Sequence, residues 1–105
     1  MNITSTFSAL GDDTRFAIVE RLLNEGELAA GELVEANHLS PPAISRHLKV
    51  LRNAGVISQR IDKQRRLYSV RPQAMKMIAT WTFNHREFWE KSLDRLEAAL
   101  EKESE

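Results

Sequence analysis

Arg46, Lys49 and Arg52 recur every three residues, and Arg60, Lys63, Arg65 and Arg66 follow them within a polar stretch. A spacing of three lines cations along one side of a helix. Guanidinium and ammonium groups are donors without acceptors, suited to phosphate oxygens, and a guanidinium fork also fits the two acceptors on a guanine edge. The chemistry on offer is neutralisation of a polyanion, with base reading where an arginine reaches a groove. The formal net charge is zero, but residues 40–71 hold eight basic side chains against Asp62 alone, while residues 1–39 hold seven acidic side chains against two basic ones. This distribution says more about partners than the sum does.

Catalytic chemistry finds little to work with. Cysteine is absent, which removes disulfides, thiolate metal sites and a cysteine nucleophile and is compatible with a reducing, cytoplasmic location. No glycine-rich phosphate loop occurs, and no carboxylate pair has a catalytic spacing. Ser45 and His47 are not a nucleophile–base pair, because residues two apart on a helix point about 200° apart. The chain is expected not to be an enzyme and to use no cofactor. It has no run of 18 apolar residues, so no membrane span is expected, and its start lacks the basic and apolar regions of a signal peptide.

The elements that must position the cations follow from patterning. Ile3, Phe7 and Leu10 have helical spacing in a short first helix that Gly11 closes. "DDTRFAIVERLLNEG" predicts a second helix, capped by Asp12 or Asp13 and ended by Gly26. Its apolar residues Phe16, Ile18, Val19, Leu22 and Leu23 suit the centre of a small core. After "ELA", "AGELVEAN" predicts a shorter helix, Asn37 and His38 make a turn, and Leu39 is expected to plug into the core. In "SPPAISRHLKVLRNAG", Ser40 is a good N-cap and Pro41 falls at the first helical position, where its missing N–H costs nothing; Pro42 is tolerated because the first four N–H groups lack intrahelical partners. Ala43, Ile44, Leu48, Val50, Leu51 and Ala54 fall on the core side of this helix. Pro42, Ser45, Arg46, Lys49 and Asn53 fall opposite, with Arg52 at their edge and His47 at the edge of the apolar arc as a structural residue.

"VISQRIDKQRRLYSVR" predicts a β-hairpin with a polar tip, although the tip lacks the glycine usual in such turns. Pro72 then opens one long helix to about Leu100, ahead of a solvated tail "EKESE". Its stripe of Met75, Ile78, Trp81, Thr82, His85, Phe88, Trp89, Leu93, Leu96 and Leu100 is too long for the remaining chain to cover, so much of it is expected to face a partner. A pocket lined by Met75, Trp81, Phe88 and Trp89 is the rival use of those residues. The whole is a mostly α protein with a small β-hairpin, a single winged helix-turn-helix domain over residues 1–105. Its recognition pair lies at about 29–54, its wing at 56–71 and its C-terminal helix at about 73–100. Pro42, Ser45 and Arg46 are the expected base readers, with Pro42 limited to apolar contact. Ser40, Lys49, Arg52, Arg60, Lys63, Arg65 and Arg66 are the expected backbone contacts.

The stretch "ALGDDTRFAIVERLLNEGELAAGELVEANHLSPPAISRHLKVLRNAGVI", with the basic hairpin ending "LYSV", resembles the ArsR/SmtB family of bacterial winged-helix repressors over about residues 5–72. "FWEKSLDRLEAALE" is similar to the branch whose last helix packs with the first to form a dimer. The resemblance implies a homodimeric repressor that reads an inverted-repeat operator in double-stranded DNA, with Ile3, Phe7, Leu10, Trp81, His85, Phe88, Trp89, Leu93, Leu96 and Leu100 at the dimer interface. If roughly five to eight phosphates were neutralised per dimer, log K would fall against log salt with a slope of about −5 to −7. Founding members of the family hold metal through a Cys-x-Cys pair. Ala29 and Gly31 stand at those positions, and His85 has no second histidine after it, so no metal site is expected and the chain resembles the non-metal branch. A small-molecule effector would have to bind the DNA-competent and DNA-released states differently, and no residue set names its chemistry. The alternative is a winged-helix interaction module whose basic face meets an acidic protein.

Overall fold

The computed structural model describes residues 2–104, apart from the side chains of residues 36 and 37. Helix α1 spans Ile3–Leu10 and begins where Asn2 accepts the Ser5 N–H at 2.8 Å. Helix α2 spans Asp13–Glu25; Asp12 is its cap, taking the Arg15 N–H at 3.0 Å, and Gly26 ends it at φ 83°. Strand β1, Leu28–Ala29, leads into α3, Ala30–Asn37. Ala29 cannot cap with its own side chain, but Glu32 reaches back to accept the Ala29 N–H at 3.2 Å, one arm of a capping box. His38, at φ 55°, makes the turn.

Helix α4 spans Pro41–Asn53, with Ser40 Oγ accepting the Ala43 N–H at 3.3 Å. Its end is equally sharp. Gly55 adopts φ 77°, the Val56 N–H returns to Leu51 O and the Gly55 N–H to Arg52 O, both at 3.0 Å. This pairing is a Schellman motif, which needs a residue free to enter the left-handed region. It turns the chain directly into β2, Ile57–Asp62, which pairs with β3, Arg65–Val70. The sheet is antiparallel with order β1-β3-β2, so Leu28 and Ala29 contribute a third strand that the sequence did not suggest.

Asp62 faces Arg65, leaving Lys63 and Gln64 as a two-residue turn with Lys63 at φ 59°. A lysine here occupies the conformation for which a glycine was expected. Left-handed backbone costs a residue with a Cβ roughly 1–2 kcal/mol, and glycine's larger unfolded-state entropy takes back about 0.5–1 kcal/mol. Lys63→Gly should therefore stabilise by up to about 1 kcal/mol, raising the thermal midpoint by a few degrees. Melting followed by circular dichroism checks this, and Lys63→Val should move the midpoint the opposite way.

Residues Met1–Met75 form one compact unit and Lys76–Glu105 another. The core of the first is built from Ala9, Ile18, Val19, Leu22, Leu33, Ile44, Leu48, Leu51, Val56, Ile57 and Tyr68. Several apolar residues expected inside lie outside it. Phe16 and Leu23 are 50% and 52% exposed; at about 100° per residue they lie together, roughly 100° from the centre of the arc made by Ile18, Val19 and Leu22. Val50 is exposed for the same reason, well off the Ile44–Leu48–Leu51 face, and Leu39 stays at the surface.

The expected single C-terminal helix is two: α5, Pro72–Asn84, and α6, Arg86–Glu103. His85 interrupts them at φ −110°. Its Nδ1 sits 2.7 Å from Trp81 O, the carbonyl that its own backbone N–H would bond in an unbroken helix. That N–H turns to Thr82 O at 3.1 Å instead. Thr82 Oγ1 also donates to Ile78 O at 2.9 Å, a back-bond that bends helices. Residues 101–103 continue α6 rather than fraying into a tail; the last residue, 105, lies outside the described region. Among the described residues, no helix is long and apolar enough to cross a membrane.

Candidate nucleic-acid interface

On α4, Pro42, Ser45, Arg46, Lys49, Arg52 and Asn53 are all exposed, while Ile44, Leu48 and Leu51 are buried. At about 100° per residue the exposed set fills an arc of about 120°. The buried set is what holds this arc outward: Ile44 and Leu48 sit one turn apart on the core side, so the residues between them must face solvent. Among the described residues, no ion pair or hydrogen bond engages the side chains of Arg46, Lys49, Arg52, Lys63 or Arg66. They carry unspent donors.

The wing brings some of its cations to this face and ties down others. Arg66 lies across a cleft of about 490 Å³ from Pro41 and Ser45 of α4, with Gly31 and Val34 of α3 on its other wall. One wing cation thus shares the neighbourhood of the candidate base readers. Arg60 is differently placed. Its Nε and Nη2 donate to the two oxygens of Glu27 at 2.8 and 2.7 Å, so a phosphate would have to displace a carboxylate from its fork. Arg65 Nη2 lies 3.8 Å from Glu32 Oε1, a looser association. Ser40, expected on the DNA backbone, uses its hydroxyl as the α4 cap.

The Arg60 hydrogen bond holds the Glu27 carboxyl below its usual range, and the pair makes Arg60 harder to deprotonate. Because the folded value of Glu27 is depressed, the pair's stabilisation is complete above the unfolded value and is lost as pH falls through the lower folded one. Both groups are exposed, so added salt weakens the pair. A carboxyl-resonance NMR titration should give Glu27 a midpoint below that of an ordinary exposed glutamate, and Arg60→Gln should return it to the ordinary range.

A second cluster sits behind the recognition helix. Arg15, at the start of α2, donates from Nε to Ala9 O at 2.6 Å and from Nη2 to Ser8 O at 3.5 Å. Its Nη1 lies 3.3 Å from His47 Nδ1, and Asp12 Oδ2 is 3.8 Å from the same nitrogen. The Arg15 N–H, with the charges of Arg15 and His47, holds the Asp12 carboxyl below its usual range. His47 is structural, as its place at the edge of the apolar arc suggested. Neither Arg15 nor Glu27 stood out in the sequence, because their partners lie 32 and 33 positions away. The one signal was coarse: an acidic first third ahead of a basic centre.

The start of α3, where relatives with thiolates would bind metal, offers only Ala29 and the side-chain-free Gly31. Among the described residues, no group of three histidines, aspartates or glutamates converges as a metal ion requires.

The expected dimer residues are divided between the two units. Phe7 of α1 is 42% exposed; Ile3 and Leu10 are half-buried. In the second unit Trp81, Phe88, Trp89, Leu93, Leu96 and Leu100 are all exposed, and His85 stacks 4.6 Å from the Trp81 ring at 35°. Trp89, Leu93, Leu96 and Leu100 follow one another at intervals of four, three and four, the spacing of a coiled-coil seam. Phe83, which the stripe did not include, is exposed and carries Arg86 over its ring at 4.6 Å.

A helix pair with an outward cationic second helix, followed by a β-ribbon, defines a winged helix-turn-helix protein. The comparisons narrow the class. Residues 12–59 match the family described as bacterial regulatory protein, arsR family. The chain is 41% identical over 87 residues to the HTH-type transcriptional regulator Rv2034 of Mycobacterium tuberculosis, covering 83% of this chain and 78% of that one. It is 34% identical over 82 residues to the transcriptional repressor SdpR of Bacillus subtilis, covering 78% and 90%. Among solved structures, an ArsR family transcriptional regulator matches with a TM-score of 0.73 at 25% identity, covering 83% of this chain and 89% of that one. HlyU from Vibrio cholerae matches at 0.65 and 29% identity, covering 81% and 89%. The chain belongs to the ArsR family. It is a DNA-binding transcriptional regulator and not an enzyme.

Proposed function

We propose that the protein is a homodimeric repressor, acting in the cytoplasm, that reads an inverted-repeat operator through α4 and the wing. The observation that carries this reading is the unpaired donor set on α4 and the wing: Arg46, Lys49, Arg52, Lys63 and Arg66. Arg46 and Ser45, in the first half of α4, read base edges, as the N-terminal part of a recognition helix does. Pro42 adds apolar contact, suited to a thymine methyl. Lys49, Arg52, Lys63, Arg65 and Arg66 hold phosphates, and Ser40 fixes the helix start against the backbone. Arg60 supports the wing through Glu27 and contributes less than its charge suggests. The exposed seam of α6, with Trp81, His85 and Phe88 and with Ile3, Phe7 and Leu10 of α1, forms the dimer. A small-molecule effector, where one acts, works by binding the DNA-released state more tightly than the DNA-bound one.

Selection of duplexes from a random pool by the purified protein tests the reading. The enriched sequences should contain an inverted repeat whose half-sites lie about 10–11 base pairs apart, or a multiple of this. An enriched pool without a repeat, or no enrichment, would overturn it.

A further inference from the structure

We propose that Arg15 is a positioning residue for operator recognition: it clamps the last turn of α1 to α4 through His47 and so sets the half-site spacing that the dimer accepts. The inference rests on the reading of the chain as a homodimer that binds DNA through α4 and dimerises in part through α1.

The geometry is that of a three-way junction. Arg15 Nε and Nη2 take the carbonyls of Ala9 and Ser8, two of the final carbonyls of α1 that no intrahelical N–H can reach. A cation there also meets the negative end of the α1 dipole. The remaining arm, Nη1, points to His47 Nδ1 on α4 at 3.3 Å. Arginine has no acceptor, so Nη1 is the donor and His47 receives it with its ring proton on Nε2. Asp12 Oδ2 holds the base of the junction, taking the Arg15 backbone N–H at 3.0 Å and standing 3.8 Å from His47. One side chain therefore joins the helix assigned to the dimer with the helix assigned to DNA.

The rest of the α1–α4 junction is not sealed. Thr4, Ser5 and Ser8 of α1 face Val50 and Asn53 of α4 across an open groove of about 480 Å³, and Val50 is 41% exposed. Without apolar interlocking along this groove, the angle between the two helices depends on the polar clamp beside it. That angle matters because the recognition helices of a dimer must enter successive turns of one DNA face, and one base pair of extra spacer rotates the half-sites by about 34–36°.

The test uses the duplex selected by the wild-type protein, the same duplex with its spacer lengthened or shortened by one base pair, and a single half-site. The variants are Arg15→Gln, His47→Leu and His47→Gln, with thermal unfolding run alongside. The wild type should prefer the natural spacing by about tenfold or more, a difference of about 1.4 kcal/mol. Arg15→Gln and His47→Leu should reduce that preference to within about threefold, by losing affinity for the natural spacing, with half-site affinity unchanged. His47→Gln, which keeps a neutral acceptor, should retain it. If Arg15→Gln fails to fold, His47→Leu decides, because it leaves the Arg15 bonds to α1 intact. Undiminished spacing preference in His47→Leu, or equal loss on every duplex including the half-site, would overturn the inference alone. Failure of the wild type to select any inverted repeat would instead overturn the DNA-reading homodimer, and the inference with it.

Discussion

Arg46→Ala should lower affinity for the operator by about five- to 150-fold, corresponding to about 1–3 kcal/mol for a lost bidentate base contact. Binding to a random duplex should change by no more than about threefold. The asymmetry follows from position. Arg46 lies in the first half of α4, exposed and without an internal partner, where a groove-bound helix meets base edges. Lys49 and Arg52 lie further along the helix, where the duplex backbone crosses it, and Arg66 lies on the wing. Arg66→Ala should weaken specific and random duplexes alike and make the salt dependence shallower by about two, one phosphate contact per protomer. Anisotropy titrations of both variants on both duplexes check this, and equal losses from the two classes would remove the division between base readers and phosphate anchors.

Leu93→Glu should convert the protein to a monomer and lower operator affinity by about 100-fold or more, because linked half-sites gain roughly 10²–10⁴ over either alone. Leu93 sits in the middle of the Trp89–Leu93–Leu96–Leu100 seam and is 63% exposed in the single chain. A carboxylate there would be desolvated without a partner in a closed interface, which costs several kcal/mol. The first unit has its own core, so the monomer should keep its fold. Sedimentation velocity separates the outcomes: a folded monomer supports the assignment, and an unchanged dimer would place the interface elsewhere.

These two predictions draw on different amounts of sequence information. The helix that carries Arg46 was legible because its limits are local chemistry: Ser40 and Pro41 start it, and its cationic and aliphatic residues separate at helical period. The caps at Asp12 and Gly26 marked α2 in the same way. Exposure within α2 was not legible, since Phe16 and Leu23 widen its apolar arc beyond what one small core can cover. The break at His85 has no proline or glycine to announce it; a side chain competing for one carbonyl makes it. The pairing of Arg60 with Glu27 and of Arg15 with His47 depends on tertiary proximity that no spacing rule reaches. The cationic face was therefore readable residue by residue, but which cations remain available to a ligand was not.

The most direct test of the central claim is fluorescence anisotropy of the purified protein on its own upstream DNA and on a scrambled duplex across a salt series. The upstream duplex should bind about 10³-fold or more tightly than the scrambled one, with a slope of log K against log salt of about −5 to −7. Weak binding to both duplexes, indifferent to sequence and nearly flat in salt, would contradict the account.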